Sequence, residues 1–204
     1  MHVLRYLKQT MSKTPQKSSD FWLCYTPKEL SIPNKDNSGV SKTIFTHLSN
    51  LHCLLTDWMR TVDNATKICR AISELKLHEF EDNYYPNTTR ILSENLSVAL
   101  SGLKNIVDGV EILNNHLQAL AQLQPDPTPV IHTWTAKQIS EYVSKLLVNI
   151  QKEYKIKEVI SENIAHCRDE NLMELYVSSW KFDMYFKIES TEFLFAEVGL
   201  PIIQ

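Results

Sequence analysis

Residues 92–120 decide the fold, and they read LSENLSVALSGLKNIVDGVEILNNHLQAL. In this stretch an apolar residue recurs at alternating steps of four and three, and residues 44–72 repeat the same spacing. A period of 3.5 residues kept over roughly four heptads holds one apolar seam against a neighbouring helix, whereas a helix on a globular core shows a wider and less regular stripe. The two seams consist of Ile44, Leu48, Leu51, Leu55, Trp58, Val62, Ala65, Cys69 and Ile72, and of Leu92, Leu96, Ala99, Leu103, Ile106, Val110, Leu113, Leu117 and Leu120.

Composition restricts the fold further. The chain has 204 residues, of which 43% are hydrophobic, as is ordinary for one packed unit with a tail. It contains four glycines, and two of them, Gly102 and Gly109, fall inside the second seam. Because sandwiches and barrels need many glycine turns, these folds are poorly supported. The sequence therefore predicts an all-α protein with a long antiparallel helical hairpin, a third long helix and short C-terminal helices.

The chain divides into two parts by composition. Residues 1–40 are rich in Thr, Ser, Lys, Pro and Asn, which predicts a disordered, flexible N-terminal arm with one apolar island at Phe21–Tyr25. Residues 41–204 are predicted to form a helical bundle or coiled-coil-like domain. Its first helix would end near residue 78 and its second near residue 124, where three prolines within residues 125–129 force an elbow. Each long helix would span roughly 55 Å, so we expect a partner to cover part of the hairpin.

A third helix is predicted after the elbow. Thr135 and Gln138 have the spacing of a capping box, and Asp169 is placed to cap a shorter fourth helix. The apolar register of the third helix slips around Glu153 and Lys157, which indicates a change of packing partner. The charges there alternate in sign and the net charge is −3, so we interpret them as a solvated helix face and expect no direct nucleic-acid binding. The expected apolar sides of the last two elements are Leu172, Leu175, Tyr176 and Trp180, then Phe193, Leu194 and Val198.

The sequence predicts no catalytic, cofactor or metal site. His132 and His166 fall near helix junctions, and His166 precedes Cys167, but the helix spacing of a metal site does not accompany them. A glycine-rich phosphate loop is also missing from the sequence, so any ATP chemistry would belong to a partner. The four cysteines are scattered, and no apolar run reaches the roughly 18 residues of a membrane helix. We expect a non-enzymatic protein without disulfides or membrane contact, in the cytoplasm or the nucleus, where thiols stay reduced.

Tryptophans and seam residues are the candidate partner contacts. Tryptophan concentrates binding energy at protein interfaces, but Trp58 lies in a seam and Trp180 on a helix face, where a core role competes. Trp134 follows the proline run, where His132 and Thr133 would lock the elbow, so support of the elbow and partner contact are both open. The full candidate set is Trp58, Leu103, Ile106, Val110, His132, Trp134 and Trp180.

Two threonines in the arm are candidate phosphorylation sites. Thr14 begins the sequence TPQK, which has the Thr-Pro-x-Lys form that proline-directed cyclin-dependent kinases prefer, and Thr26 precedes Pro27 as a weaker site. A phosphate at Thr14 would add roughly −1.5 to −2 charge beside Lys13 and Lys17.

A resemblance to a known family appears around the elbow. The segment TPVIHTW, residues 128–134, and the residues after it resemble the C-terminal half of the cyclin-dependent kinase 2-interacting protein family, and the first helix is similar to that family's N-terminal helix. The resemblance covers about residues 51–180. After the Ala-His pair, this chain has Arg168 and Glu170 in place of the family's small Gly and Pro. The other matching residues are His52, Leu54, Trp58, Asp63, Ile72, Leu75, Lys76, Lys145, Leu146, Leu147, Ile164, Ala165, His166, Asp169, Leu172, Tyr176, Ser178 and Trp180.

The resemblance implies a nuclear adaptor without catalysis, which links cyclin-dependent kinases to replication, DNA-damage and checkpoint factors. It also implies a place beside a second small helical subunit in a hetero-oligomeric AAA-type ATPase complex that acts in replisome proteostasis, DNA repair and maturation of the large ribosomal subunit. The alternative, from the helix pattern alone, is a coiled-coil tethering subunit of another multi-subunit assembly.

Overall fold

A computed structural model of the protein describes residues 38–78, 87–124 and 127–203. The predicted N-terminal arm, its apolar island and the candidate sites Thr14 and Thr26 therefore lie outside the described residues, apart from the last three residues of the arm. Those three residues, 38–40, already belong to the first helix.

Helices account for the architecture. Within the three described ranges no strand is present, and the all-α prediction is confirmed. The elements are α1 (Ser38–His78), α2 (Asn87–Leu123), α3 (Ala136–Asn163), α4 (Glu170–Lys181), a 3₁₀ turn (Ile188–Thr191) and α5 (Glu192–Glu197).

The first two helices form the predicted antiparallel hairpin. His47 on α1 lies against His116 on α2, with ring centroids 5.2 Å apart. About two turns further along α1, Leu54 packs against Gly109, and a Cβ added to that glycine would lie 3.0 Å from Leu54 Cδ1. Residue numbers thus rise on one helix as they fall on the other. Helix α2 also packs on α3, while α4 packs on both α1 and α3.

The apolar seams are buried inside the chain itself. All nine residues of the first seam are buried, and in the second seam only Ala99 and Leu120 are partly exposed. Burial of each such large aliphatic side chain contributes about 1.5–3 kcal/mol. The expectation that the hairpin needs a partner to cover its seams is wrong, because α3 and α4 supply that cover.

Side-chain caps define the starts of α3 and α4, as predicted. The Thr135 hydroxyl accepts a hydrogen bond from Gln138 N, and the Gln138 side chain accepts one from Thr135 N, which completes the capping box. Asp169 caps α4 by accepting a hydrogen bond from Leu172 N at 2.8 Å.

The inward faces of the last two helices agree with the prediction only in part, since Trp180, Leu194 and Val198 are buried as predicted and Leu172, Leu175 and Phe193 are not. In α4 the buried residues are Met173 and Trp180, seven positions apart, whereas Leu172 and Leu175 are exposed. Two residues seven positions apart lie on one side of a helix, so the larger pair Met173 and Trp180 selects the buried side. At the C-terminal end, Leu194 in α5 and Val198 just after it are buried as predicted, whereas Phe195 takes the inward place expected of Phe193, which is exposed.

Candidate protein-interaction surfaces

The elbow after α2 is held by its own backbone and by α1. Val130 N and Ile131 N donate hydrogen bonds to Trp134 O, at 3.0 and 3.4 Å. The Ser41 hydroxyl, buried in the first turns of α1, donates to Val130 O at 2.6 Å. The chain therefore turns tightly and is fixed to a helix 89 positions away along the sequence.

The same elbow is tied to the C-terminal helices. Thr133 N donates to Glu197 Oε2 at 3.1 Å, and the Thr133 hydroxyl donates to Glu197 Oε1. The Trp134 ring lies edge-on to Tyr142, with centroids 5.6 Å apart. The Tyr142 hydroxyl donates to Ser190 O, and burial raises the pKa of this tyrosine. Of the two residues predicted to lock the elbow, Thr133 does so through Glu197, whereas His132 is exposed.

Beside these contacts lies a groove of about 380 Å³, here called the elbow groove. It is lined by His132, Trp134, Phe193, Ala196 and Glu197. Phe193 is 78% exposed and His132 is also exposed, while Trp134 is half-buried. An exposed phenylalanine beside a half-buried tryptophan is the type of surface that concentrates binding energy when a partner excludes water from it. The elbow groove is therefore the first candidate interaction surface.

A group of buried charges, here called the charge cluster, lies where α1, α3 and the segment after α4 meet. It consists of Lys157, Glu153 and Asp183. Lys157 Nζ lies 2.7 Å from Asp183 Oδ1, 3.3 Å from Glu153 Oε1 and 3.0 Å from Trp180 O. The side chains of Lys157 and Glu153 are both 0% exposed. The interpretation of these two residues as part of a solvated helix face is wrong, because each is buried with a charged partner.

Two tryptophans enclose the charge cluster. The rings of Trp58 and Trp180 have their centroids 5.9 Å from Lys157 Nζ, within the range of a cation–π contact. Trp58 Nε1 also donates to Asp183 Oδ2 at 3.1 Å. Burial raises the pKa of the Asp183 carboxyl, and the charge of Lys157 opposes that rise. The two tryptophans therefore support the interior of the bundle.

The structure separates the sequence-predicted contact residues into two groups. Only His132 and Trp134 lie at a surface, in the elbow groove. The other five are buried among the chain's own helices, so the geometry gives them a core role, and contact with a partner stays a prediction. These five are Trp58, Leu103, Ile106, Val110 and Trp180.

Sequence reasoning missed Phe193 and Glu197 as surface residues. Both approach the elbow from more than 60 positions away, and no local spacing signals such a contact. The slip of apolar register at Glu153 and Lys157 was a usable signal for the charge cluster, since it marks polar residues on an inward-facing side.

Among the described residues, no group of three or more His, Cys, Asp and Glu side chains could hold a metal ion. Over those ranges, no helix is long and apolar enough to cross a membrane. Burial raises the pKa of the Cys69 thiol to about 12, so this cysteine stays protonated near neutral pH.

Comparison with known proteins gives a relative of similar sequence. No family model matches the chain. The chain is 26% identical over 140 residues to a protein of Bos taurus named cyclin-dependent kinase 2-interacting protein. The matched region covers 64% of this chain and 66% of the bovine protein, a little under two thirds of that protein's length. This similarity supports a relationship between the two proteins.

Proposed function

We propose that the chain is a non-enzymatic adaptor that binds a cyclin-dependent kinase through the elbow groove. The observation that carries the proposal is the similarity to a protein whose name states that it interacts with such a kinase. An all-helical body and a surface groove with an exposed Phe193 are consistent with a role in protein contact.

The elbow groove suits a protein partner for a physical reason. Its lining residues are fixed before binding, because Thr133 is hydrogen-bonded to Glu197 and the Trp134 ring is packed on Tyr142. A surface that is already ordered loses little conformational freedom when it binds, so more of the contact energy remains as affinity. Phe193 and Trp134 supply apolar contact, while His132 and Glu197 offer polar groups at the rim.

The family resemblance extends this proposal to larger assemblies. The adaptor would link the kinase to replication and checkpoint factors in the nucleus. It would also join a second small helical subunit in a hetero-oligomeric AAA-type ATPase complex in replisome proteostasis and large ribosomal subunit maturation. Support for these partners, for the nuclear location and for the process comes from the resemblance alone.

Affinity purification of the full-length tagged protein from dividing cells, with quantitative mass spectrometry, tests the proposal. The variant His132→Ala/Phe193→Ala alters two exposed residues of the groove, and Val98→Ala/Leu123→Ala is a matched control on exposed apolar residues of α2. We expect recovery of a cyclin-dependent kinase that falls in the groove variant and not in the control. Recovery of a coiled-coil complex without kinase, replication factors or ATPase would favour the tethering alternative.

A further inference from the structure

The segment that follows α4 is attached to the bundle from the inside. Together with Lys181, the last residue of α4, it reads KFDMYFK, residues 181–187. Its Asp183 side chain points inward to Lys157 Nζ at 2.7 Å. The next two backbone amides, Met184 N and Tyr185 N, both donate to Glu153 Oε2, at 2.8 and 2.9 Å. The charge cluster therefore holds the backbone of this segment in one position.

The same backbone presents three large apolar side chains to solvent. Phe182 is 61% exposed, Met184 is 66% exposed and Tyr185 is 49% exposed. Residues 182–185 are here called the anchored loop. Exposed apolar groups on a loop that is already held in place form a pre-organised contact, because their binding does not have to order the backbone. Such a contact differs from scattered surface leucines, which need no explanation.

The anchored loop directly follows α4, one of the two helices that form an apolar surface groove. That groove has a volume of about 380 Å³ and is lined by Lys155, Ile156, Val159, Ile160, Leu175, Tyr176 and Ser179. Lys152, which contacts Tyr185, precedes Ile156 by one turn on α3, and Ser179 precedes Phe182 by about one turn at the end of α4. The loop and the groove thus share one side of the bundle, and Val159 and Leu175 in the groove are exposed as well.

The charge around the loop is positive. Lys152 Nζ lies 5.5 Å from the centroid of the Tyr185 ring, and Lys181 Nζ lies 4.7 Å from that of Phe182. Lys187, at the other end of the segment, is exposed. Asp183 is the one acidic residue of KFDMYFK, and its carboxylate is directed to Lys157. Lysines and apolar side chains therefore face outward, while the carboxylate faces inward.

We propose that the anchored loop and the adjoining groove dock a second protein, which presents an apolar patch rimmed by carboxylates. The inference rests on the proposed adaptor function, because an adaptor needs a second surface besides the one that contacts its first partner. Positive charge at the rim selects an acidic partner and excludes a basic one, and the apolar centre supplies the affinity. An anionic membrane is the poorer match, since recognition of acidic lipid typically uses a cluster of 4–8 basic residues, and Lys155, one of the four lysines on this surface, is already paired with Glu158 at 2.6 Å.

Photo-crosslinking of the full-length protein in cells of its source organism tests this inference. A photoreactive phenylalanine analogue replaces Met184 in one variant and the comparably exposed Val98 on α2 in the control variant. We expect crosslinks from position 184, at least about tenfold above the control, to a peptide that contains Asp or Glu beside apolar residues. The additional change Lys152→Glu/Lys181→Glu should lower this yield about tenfold, and Lys152→Arg/Lys181→Arg should preserve it, because the positive charge remains.

Several results would overturn the inference. These are a yield at position 184 equal to that of the control, a crosslinked peptide without acidic residues, and a yield unaffected by charge reversal. Flotation of the protein with vesicles of phosphatidylserine and phosphatidylcholine, lost on charge reversal at Lys152 and Lys181, would assign the surface to a membrane. Absence of kinase binding would count against the proposed function alone. The crosslinking yield at position 184 tests the anchored loop independently of that result.

Discussion

Lys157 Nζ lies 2.7 Å from Asp183 Oδ1 in the interior of the bundle, although the two residues are 26 positions apart. This contact joins the middle of α3 to the segment after α4. Since Asp183 also accepts a hydrogen bond from Trp58 Nε1, the same carboxylate connects α1 to that segment. The position of the anchored loop therefore depends on a buried ion pair.

Removal of the lysine should destabilise the fold strongly. Lys157→Met leaves Glu153 and Asp183 buried without their counter-charge, and loss of one partner of a buried ion pair costs about 3–5 kcal/mol. Urea unfolding followed by circular dichroism measures the free energy of unfolding. The matched control is Lys155→Met, which removes an exposed pair with Glu158 on the same helix and should leave the urea midpoint unchanged. Equal midpoints for the two variants would show that the charge cluster is not buried.

Stability should depend on pH through Asp183. Burial raises the pKa of this carboxyl above its ordinary value of 3.8. A carboxyl that binds its proton more tightly in the folded chain contributes stability below its unfolded pKa, and that contribution is lost as the pH rises through the folded pKa. Asp183→Asn cannot ionise, so the free energy of unfolding of the wild type minus that of the variant should fall as the pH rises from about 3.8. Urea titrations at a series of pH values measure this difference, and a rise with pH would show that Lys157 outweighs burial.

Two glycines in α2 should respond oppositely to a larger residue. Gly102→Ala adds a methyl group where no heavy atom lies within 4 Å, so the better helix propensity of alanine should stabilise by about 0.5–1 kcal/mol. At Gly109 an added Cβ meets Leu54 Cδ1 at 3.0 Å, so Gly109→Val should destabilise the hairpin. Thermal unfolding measures the stability of each variant relative to the wild type. A stabilising Gly109→Val would mean that α1 and α2 lie further apart.

Cys69 should be inert in the folded protein. Its thiol is buried on the α1 seam, and the pKa of about 12 leaves almost no thiolate near neutral pH. Iodoacetamide labelling at about pH 8, followed by peptide mass spectrometry, should modify the half-buried Cys167 and leave Cys69 unmodified until urea is added. Rapid native labelling of Cys69 would contradict its place in the core.

The sequence predicted those features that depend on local periodicity. The seam from Ile44 to Ile72 required a helix packed along another helix, and the capping box at Thr135 fixed the start of α3. The third helix could also be placed, because Ile139, Val143 and Ile150 repeat with helical spacing and are buried.

Features that depend on contacts between distant segments were not predictable. Which side of α4 faces inward depends on the space that Trp180 fills beside Trp58 and Lys157. Local hydrophobicity correctly included Trp180, but it placed Leu172 and Leu175 on the same side, where Met173 is buried in their place. The elbow groove was half predicted. His132 and Trp134 follow the proline run and could be identified, but Phe193 reaches them only through the fold.

Equilibrium binding between the purified full-length protein and a purified cyclin-dependent kinase 2–cyclin complex tests the adaptor proposal most directly. The account predicts saturable binding that His132→Ala/Phe193→Ala weakens at least about tenfold, which corresponds to about 1.4 kcal/mol, while Val98→Ala/Leu123→Ala leaves the affinity unchanged. No binding by the wild type would contradict the proposed function, and equal affinity of the two double variants would contradict the assignment of the elbow groove as the kinase contact.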